Sequence, residues 1–225
     1  MKKEKFTAII LARGGSKGIK LKNLVKINGK PLVYWTIRSC LKSKEIQSTW
    51  VSTDNKLIAN YSRKLGANII LRPYKYAKDN SASDSAWLHA LDFLNKKILI
   101  KNLIGLQPTS PIRNNDDIDK ACKFFLKNKY DSLFTAMNIA DHFIWRFSNK
   151  KLIANYNFKR RPLRQKIERK YLENGSFYIF NVKKFLKYKN RLFGKIGVYV
   201  MEKINSLQLD EPEDIKLFNS LKKFY

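Results

Sequence analysis

TAIILARGGSKGIKLKN, Thr7 to Asn23, is the stretch that decides the fold. A short apolar, β-branched run at about Thr7 to Leu11 breaks into a glycine-rich loop, Ala12 to Gly18, and a polar stretch continues to Gly29. An apolar run without polar alternation suits a strand buried on both faces, and in open α/β sheets such a strand delivers its ligand-binding loop at the carboxyl end. GKPLVYWTI follows, Gly29 to Ile37. Pro31 is placed near the first turn of a helix whose apolar positions are Leu32, Trp35, Ile37 and Leu41.

The same alternation of short apolar runs and helical patterns continues down the chain, which predicts an α/β fold with a mostly parallel, doubly wound sheet. The second strand is Ser48 to Asp54, followed by a helix that Gly66 stops. A strand at Asn68 to Leu71 leads through a polar loop to a helix from Ser83 to Leu94, with Ser81, Ser83 or Asp84 as candidate caps. Leu103 to Leu106 empties into the rigid turn Gln107-Pro108-Thr109-Ser110-Pro111. A helix from Asp116 to Leu126 then feeds the strand Ser132 to Met137. After residue 138 the rhythm changes: His142 to Phe147 and Leu152 to Phe158 suggest a hairpin, and Lys159 to Lys170 is densely basic. This span, about 139–170, reads as an arm inserted into a single domain covering 1–225. The parallel rhythm is expected to return with Gly175 to Asn181, a short helix, Gly197 to Met201 and a last helix from Pro212 to Lys222. The loops at 12–23, 72–83 and 107–113 are expected to face one crevice.

An apolar content of 44% over 225 residues is enough for one domain burying roughly 70% of its unfolded surface. No run of about 18 apolar residues exists, and MKKEKF leads into a strand-like run instead of a signal-peptide core, so a cytoplasmic protein without membrane association is expected. Cys40 and Cys122 lie far apart without metal-ligand spacing and read as core thiols; His89 and His142 are too few for a multi-histidine metal centre. The net charge of +28 attracts polyanions. Because the excess lysine is spread along the chain instead of forming a basic and aromatic stripe, specific nucleic-acid binding is not expected.

Chemistry concentrates in Ala12-Arg13-Gly14-Gly15-Ser16-Lys17-Gly18, with Lys20, Lys22 and Asn23 behind it. Glycines let the backbone approach an anion and aim N–H groups at it, and Arg and Lys neutralise phosphate charge, so the loop reads as a polyphosphate cradle. It matches neither the Walker pattern nor the dinucleotide fingerprint. Asp54, at a strand's carboxyl end, is a secondary candidate for nucleotide or metal-linked contacts. Asp84 suits the first turn of a helix better than acid catalysis, and Arg113 reads as structural. KRRPLRQ, Lys159 to Gln165, is a short basic cluster for which a substrate role is preferred over nucleic-acid binding.

IILARGGSKGIKLKN, GKPLVYWTI, WVSTD, LRP, QPTSPIR, YDSLF, RPLRQ and ENGSFYIFN, in this order from about Ala8 to Leu221, resemble the acylneuraminate cytidylyltransferases, which make CMP-activated nonulosonic acids. The resemblance implies a nucleotide-diphospho-sugar transferase fold, a homodimer whose inserted arm reaches the partner's site, and Mg²⁺ as cofactor. It implies attack by the anomeric hydroxyl of a nine-carbon 2-keto acid on the α-phosphorus of CTP. Carried over by position, Arg13 and Lys22 contact the triphosphate, Lys17 stabilises the departing pyrophosphate and Asn23 binds the nucleotide or orients the reacting groups. Ala12 and Gly14 offer loop backbone to the nucleotide, and Arg72, Ser83 and Gln107 select cytosine. Arg146, Arg164, Gln165, Asn174 and Tyr178 are implied at the sugar acid, arginine suiting its carboxylate because the planar fork engages both oxygens. One departure stands out: where the family carries an Asp-x-Asp pair, this chain has Gln208 and Asp210, which leaves Asp210 as the expected metal ligand. The eight-carbon acid Kdo is the alternative substrate, and no matched motif supplies a general base.

Overall fold

The computed structural model describes residues 4–96, 98–139, 143–163, 166 and 169–225. Strand β1 (Phe6–Leu11) is central to a seven-stranded sheet and is buried almost throughout. Its side chains alternate between two cores, as the period of two requires. Phe6, Ala8 and Ile10 enter a core with Val33 and Ile37 of α1 (Leu32–Lys42), Ile58 of α2 (Lys56–Lys64) and Phe125 of α4 (Asp117–Lys127). Ile9 enters the other, with Trp87 and Leu91 of α3 (Ser83–Asn95) and Phe185 of α5 (Val182–Tyr188). Two apolar faces on one strand explain why the run Thr7 to Leu11 carries no polar alternation.

Two short strands, β2 (Lys26–Ile27) and β3 (Lys30–Pro31), form a ribbon ahead of α1. Next in sequence come β4 (Ile46–Thr53), β5 (Asn68–Leu71), β6 (Asn102–Leu106) and β7 (Ser132–Asn138). They are followed by the arm strands β8 (Trp145–Ser148) and β9 (Lys151–Ala154), and by β10 (Tyr171–Asn181) and β11 (Ile196–Val200). The main sheet runs β11-β7-β10-β6-β1-β4-β5, and all of its pairings are parallel except those of β10. The chain therefore does not resume a parallel rhythm at Gly175. β10 begins at Tyr171 and runs against both neighbours, with a register shift between Glu173 and Tyr178. A hydrophobic run records that a strand is buried, not which way it points.

Other expectations are adjusted by a few residues. Pro31 stands near the first turn of α1, as its N-cap, whereas Leu41 is exposed while Thr36 and Cys40 take buried places. Gly66 stops the chain after α2 with φ +93°. Among the described residues, outside which His142 lies, the arm strands are shorter than the sequence suggested and pair only with each other. Helix α6 (Pro212–Ser220) begins with its proline at the first position and is capped at that same end by a capping box between Glu211 and Asp214. A third apolar cluster joins this end of the chain to the loop after β1: Ile19, Ile27, Leu32, Ile112, Leu209 and Phe218 are all buried together.

Candidate active site

The carboxyl ends of β1, β5 and β6 open onto one cavity of about 340 Å³, lined by parts of all three loops that the sequence directed to a single crevice. From the first loop come Arg13, Gly15, Ser16, Lys22 and Asn23; from the second, Arg72, Tyr76, Lys78, Asp79 and Ser83; from the third, Gln107, Pro108 and Thr109.

The first loop is braced from outside the cavity. The Gly14 N–H donates to Asp54 Oδ1 at 2.8 Å, and a Cβ on Gly14 would stand 2.8 Å from that of Asn55. Asp54 thus holds the loop and does not reach across the cavity toward a ligand. Ala12 is buried and its N–H donates to Ser52 O, which fixes where the loop leaves the sheet. Asn23 is also buried, its Nδ2 donating to Arg13 O at 2.8 Å, so it ties the two ends of the loop together.

Two cations of the cavity, Arg13 and Lys22, are held by carboxylates. Arg13 pairs with Asp79 at 2.9 Å and donates to Ala77 O at 3.3 Å. Lys22 Nζ donates to Asp210 Oδ1 and to Leu209 O, each at 3.0 Å. The Lys22 contact joins the first loop to residues 187 and 188 positions later, over the third apolar cluster. Gly18 completes the junction, because a Cβ there would meet Asp210 O at 2.9 Å. Lys17 is exposed and does not line the cavity.

Arg72 is the most unusual group. Only 6% of it is exposed, and its Nε and Nη2 have no hydrogen-bond partner. Burial lowers its pKa to about 10, with Asp54 opposing and Arg13 adding to the effect, so the guanidinium is charged at neutral pH and presents buried donors at the cavity wall. Unpaired buried donors are costly and mark a place where a ligand's acceptors would be received.

Ser83 also lines the cavity, as the first residue of α3. The expected cap is not supplied by Ser81, Ser83 or Asp84: the N-cap is Ala82, without a side-chain bond. The amides of this helix start stand at the cavity unanswered by any side chain, an arrangement that favours negative charge or acceptors. Asp84 points elsewhere, into a two-pronged pair with Arg191 at 3.1 Å on each prong, which agrees with its reading as a structural acid.

Gln107 follows β6 directly. Its position depends on Arg113, which is buried and donates to Gln107 O, Ser176 O, Ser176 Oγ and Thr36 Oγ1 at 2.9–3.0 Å. Gly175, with φ +64°, lets the start of β10 pass close by: a Cβ there would lie 3.8 Å from Gln107 Oε1 and 3.3 Å from Gln208 Nε2.

Of the residues implied at the sugar acid, the three that are described, Arg146, Asn174 and Tyr178, do not line this cavity. Asn174 is buried with its amide committed to Thr135, Ser176 and Ser206. Tyr178 is buried in the sheet core, packed edge-on against Trp87, its hydroxyl donating to Glu173; burial first, then Glu173, raise its pKa. Arg146 lies exposed on β8, and Arg164 and Gln165 lie outside the described residues. The cavity residues Tyr76, Lys78, Asp79 and Thr109 were not singled out from sequence, although the loops that carry them were.

No group of three or more His, Cys, Asp or Glu able to hold a metal is present among the described residues. Asp210 is half exposed and adjoins the cavity, whereas Gln208 spends its Nε2 on Asn174 O and so serves to anchor β10. One carboxylate is too few for a protein cage but fits a Mg²⁺ ion carried mainly by a polyphosphate, the usual mode for that metal.

A profile of the cytidylyltransferase family matches residues 7–225. N-acylneuraminate cytidylyltransferase A of Danio rerio is 33% identical over 93% of this chain and 49% of its own length. The N-acylneuraminate cytidylyltransferase of Escherichia coli O18:K1:H7 is 30% identical over 95% of this chain and 51% of its own. This chain therefore spans about half the length of these curated relatives. Post-translational flagellin modification protein B of Campylobacter coli, 29% identical, is matched over 95% of this chain and 93% of its own. Among solved structures, a CMP:2-keto-3-deoxy-manno-octonic acid synthetase complexed with CTP superposes with a TM-score of 0.72 at 16% identity, covering 97% of this chain and 98% of the other. That likeness is one of fold.

Proposed function

Since the chain belongs to the cytidylyltransferase family, we propose that it activates a nonulosonic acid with CTP, releasing pyrophosphate. The observation that carries this reading is the convergence of Arg13, Lys22, Arg72 and Gln107 on one cavity at the carboxyl ends of the parallel strands. The names borne by its relatives supply the sugar class.

The first loop receives the triphosphate. Arg13 and Lys22 exchange their carboxylate partners for phosphate oxygens, and Lys17, exposed at the loop's tip, meets the pyrophosphate as it leaves. Asn23 keeps the loop closed during the step. Arg72 and Gln107 take the pyrimidine edge: the unpaired Nε and Nη2 of Arg72 suit the ring's acceptors, the amide of Gln107 can both donate and accept, and Ser83 stands beside them. The oxygen of the sugar's anomeric hydroxyl forms a bond to the α-phosphorus while the bond from that phosphorus to the bridging oxygen breaks. Catalysis of this kind rests on positioning and on charge placed before the reaction begins. Mg²⁺, held by the phosphates and Asp210, would neutralise triphosphate charge and polarise the attacked centre. No histidine lines the cavity among the described residues, and we assign the hydroxyl proton to a phosphate oxygen or to water.

The sugar acid's carboxylate is assigned to the arginines of the arm, Arg146 and Arg164, with Gln165 beside them. The hairpin β8–β9 exposes Trp145, Phe147, Leu152 and Ile153, Phe147 to 79%. Apolar area of this kind marks a contact surface, and we assign it to a homodimer in which the arm reaches the partner's cavity. No helix among the described residues is long and apolar enough to cross a membrane. We place the enzyme in the cytoplasm.

The test is pyrophosphate release with Mg²⁺ and CTP across a panel of nonulosonic acids and Kdo, with ATP, GTP and UTP as controls. Release with CTP and one nonulosonic acid establishes the reaction and names its substrate, whereas release with Kdo alone moves the enzyme to the eight-carbon branch. Binding to a generic polyanion that CTP does not compete away, with no release, refutes the reading.

A further inference from the structure

Three enclosed polar atoms near the cavity have no hydrogen-bond partner: Nε and Nη2 of Arg72 and Nδ1 of His89. The elements that carry them meet behind the wall assigned above to the nucleotide. Arg72 follows β5 directly, and Tyr76 stands in the single turn Tyr74–Tyr76. His89 lies three residues beyond Ala86, one turn along α3 from a residue that lines the cavity. The imidazole does not line the cavity, yet its ring packs 5.0 Å from that of Tyr76, which does.

A neutral imidazole offers one donor and one acceptor nitrogen, and a guanidinium offers donors only. Two unanswered donors on Arg72 and an unanswered acceptor on His89 are chemical complements. The charged groups facing the imidazole are Arg72 at the end of β5, Lys75 in the following turn and Asp92 on α3. Burial, then Arg72, and also Lys75 hold its pKa below the ordinary histidine value, with Asp92 opposing them. His89 is therefore neutral at pH 7.

We propose that His89 is a positioning residue for Arg72: its neutral Nδ1 accepts a hydrogen bond from one guanidinium N–H through one ordered water, which leaves the other unpaired N–H groups to the nucleotide and fixes the plane in which Arg72 meets it. This rests on the nucleotide reading of the cavity. Protonation of His89 removes the acceptor and sets a second positive charge beside Arg72, so part of the loss of nucleotide affinity in acid originates at His89.

The test measures CTP binding by calorimetry from pH 5 to 8 for the wild type, His89→Asn and His89→Leu, with thermal midpoints alongside. An asparagine oxygen can replace the Nδ1 acceptor without titrating. His89→Asn is expected to stay within about threefold of wild type at pH 7.5 and to bind more tightly than wild type at the acid end. His89→Leu is expected to weaken binding about tenfold, the scale of one lost hydrogen bond to a charged group. Three results overturn the proposal: wild-type affinity in His89→Leu, an equal loss in His89→Asn, or a ratio of wild type to His89→Asn that does not change with pH. If His89→Leu fails to fold, that pH-dependent ratio decides alone. Absence of CTP binding in the wild type would instead refute the nucleotide reading itself.

Discussion

Gly105 occupies the middle of β6, where the indole of Trp87 lies across the sheet. A Cβ at this position would stand 2.5 Å from both Cε2 and Cζ2 of Trp87 and 2.9 Å from its Nε1. Carbon atoms in contact sit about 3.5–4.0 Å apart, so Gly105→Ala demands a displacement of about 1 Å. The indole has nowhere to go: Trp87 is fully buried, its Nε1 faces Ile9 O at 3.4 Å, and Tyr178 and Phe180 pack edge-on against it. Overpacking of this kind costs about 1–3 kcal/mol, and a clash this short belongs at the upper end. For a domain of this size that lowers the thermal midpoint by about 5–10 °C. The assay is urea unfolding of Gly105→Ala, Trp87→Phe and the double variant. Trp87→Phe alone should lose about 1–2 kcal/mol to the cavity it leaves. The double variant should recover about 1–2 kcal/mol relative to the sum of the single losses, because the smaller ring makes room for the methyl group. Gly15→Ala, where no atom lies within 4 Å of the added carbon, serves as the control and should change stability by less than about 0.5 kcal/mol. Wild-type stability in Gly105→Ala, or strict additivity in the double variant, would refute the reasoning.

Three further outcomes follow from the site and its surroundings. Lys22→Met should lower kcat/KM for CTP about 100- to 1000-fold, as removal of a preorganised charge at a reacting phosphate does, while the thermal midpoint moves little; steady-state pyrophosphate assays read this directly. Asp84→Asn breaks the paired fork with Arg191 and should cost about 1–3 kcal/mol of stability, since a partly buried cation loses its charge partner, yet leave kcat unchanged; an activity loss larger than the stability loss would return Asp84 to the site. Asp131 carries a carboxylate lowered first by the Lys184 hydrogen bond and then by the Lys195 N–H. A lowered folded-state pKa gives stability that is present above the unfolded carboxylate value near 3.8 and lost as pH falls through the folded value. Asp131→Asn should therefore be less stable than wild type at pH 6, and the difference should shrink as pH falls through the folded value, as followed by thermal midpoints on acidification.

Much of this architecture was legible because local chemistry and global position agreed. The run ahead of Arg13 had to be a strand buried on both faces, and Asn68 to Leu71 coincides with β5 because Gly66 and Pro73 bound it tightly. The three cavity loops could be named from the strand ends alone. What stayed hidden was set by contacts distant in sequence. The direction of β10 depends on its pairing with β6 and β7, and no periodicity encodes it. Ala82, and not one of the polar residues around it, stands at the N-cap of α3. Asn174 and Tyr178 share a motif with residues near Gln107, but alternation along β10 and the shift at Gly175 turn their side chains to Thr135 and Trp87. Gln208, which stands where the family carries an acid, donates its Nε2 to a backbone carbonyl of β10, a partner no local pattern announces.

The antiparallel strand also shapes how the molecule is made. β6, β1, β4 and β5 are all complete by residue 106, and β7 by residue 138, yet β6 and β7 never touch: β10, at residues 171–181, is the only strand between them. While a ribosome is still translating the arm, the nascent sheet presents the open flank of β6, whose five residues are all buried in the finished protein. Unpaired apolar edges of this kind recruit other chains. The emerging polypeptide is thus most exposed to misassociation between the birth of β6 and that of β10, and a trigger-factor-like or heat-shock chaperone would be most useful to it during that interval.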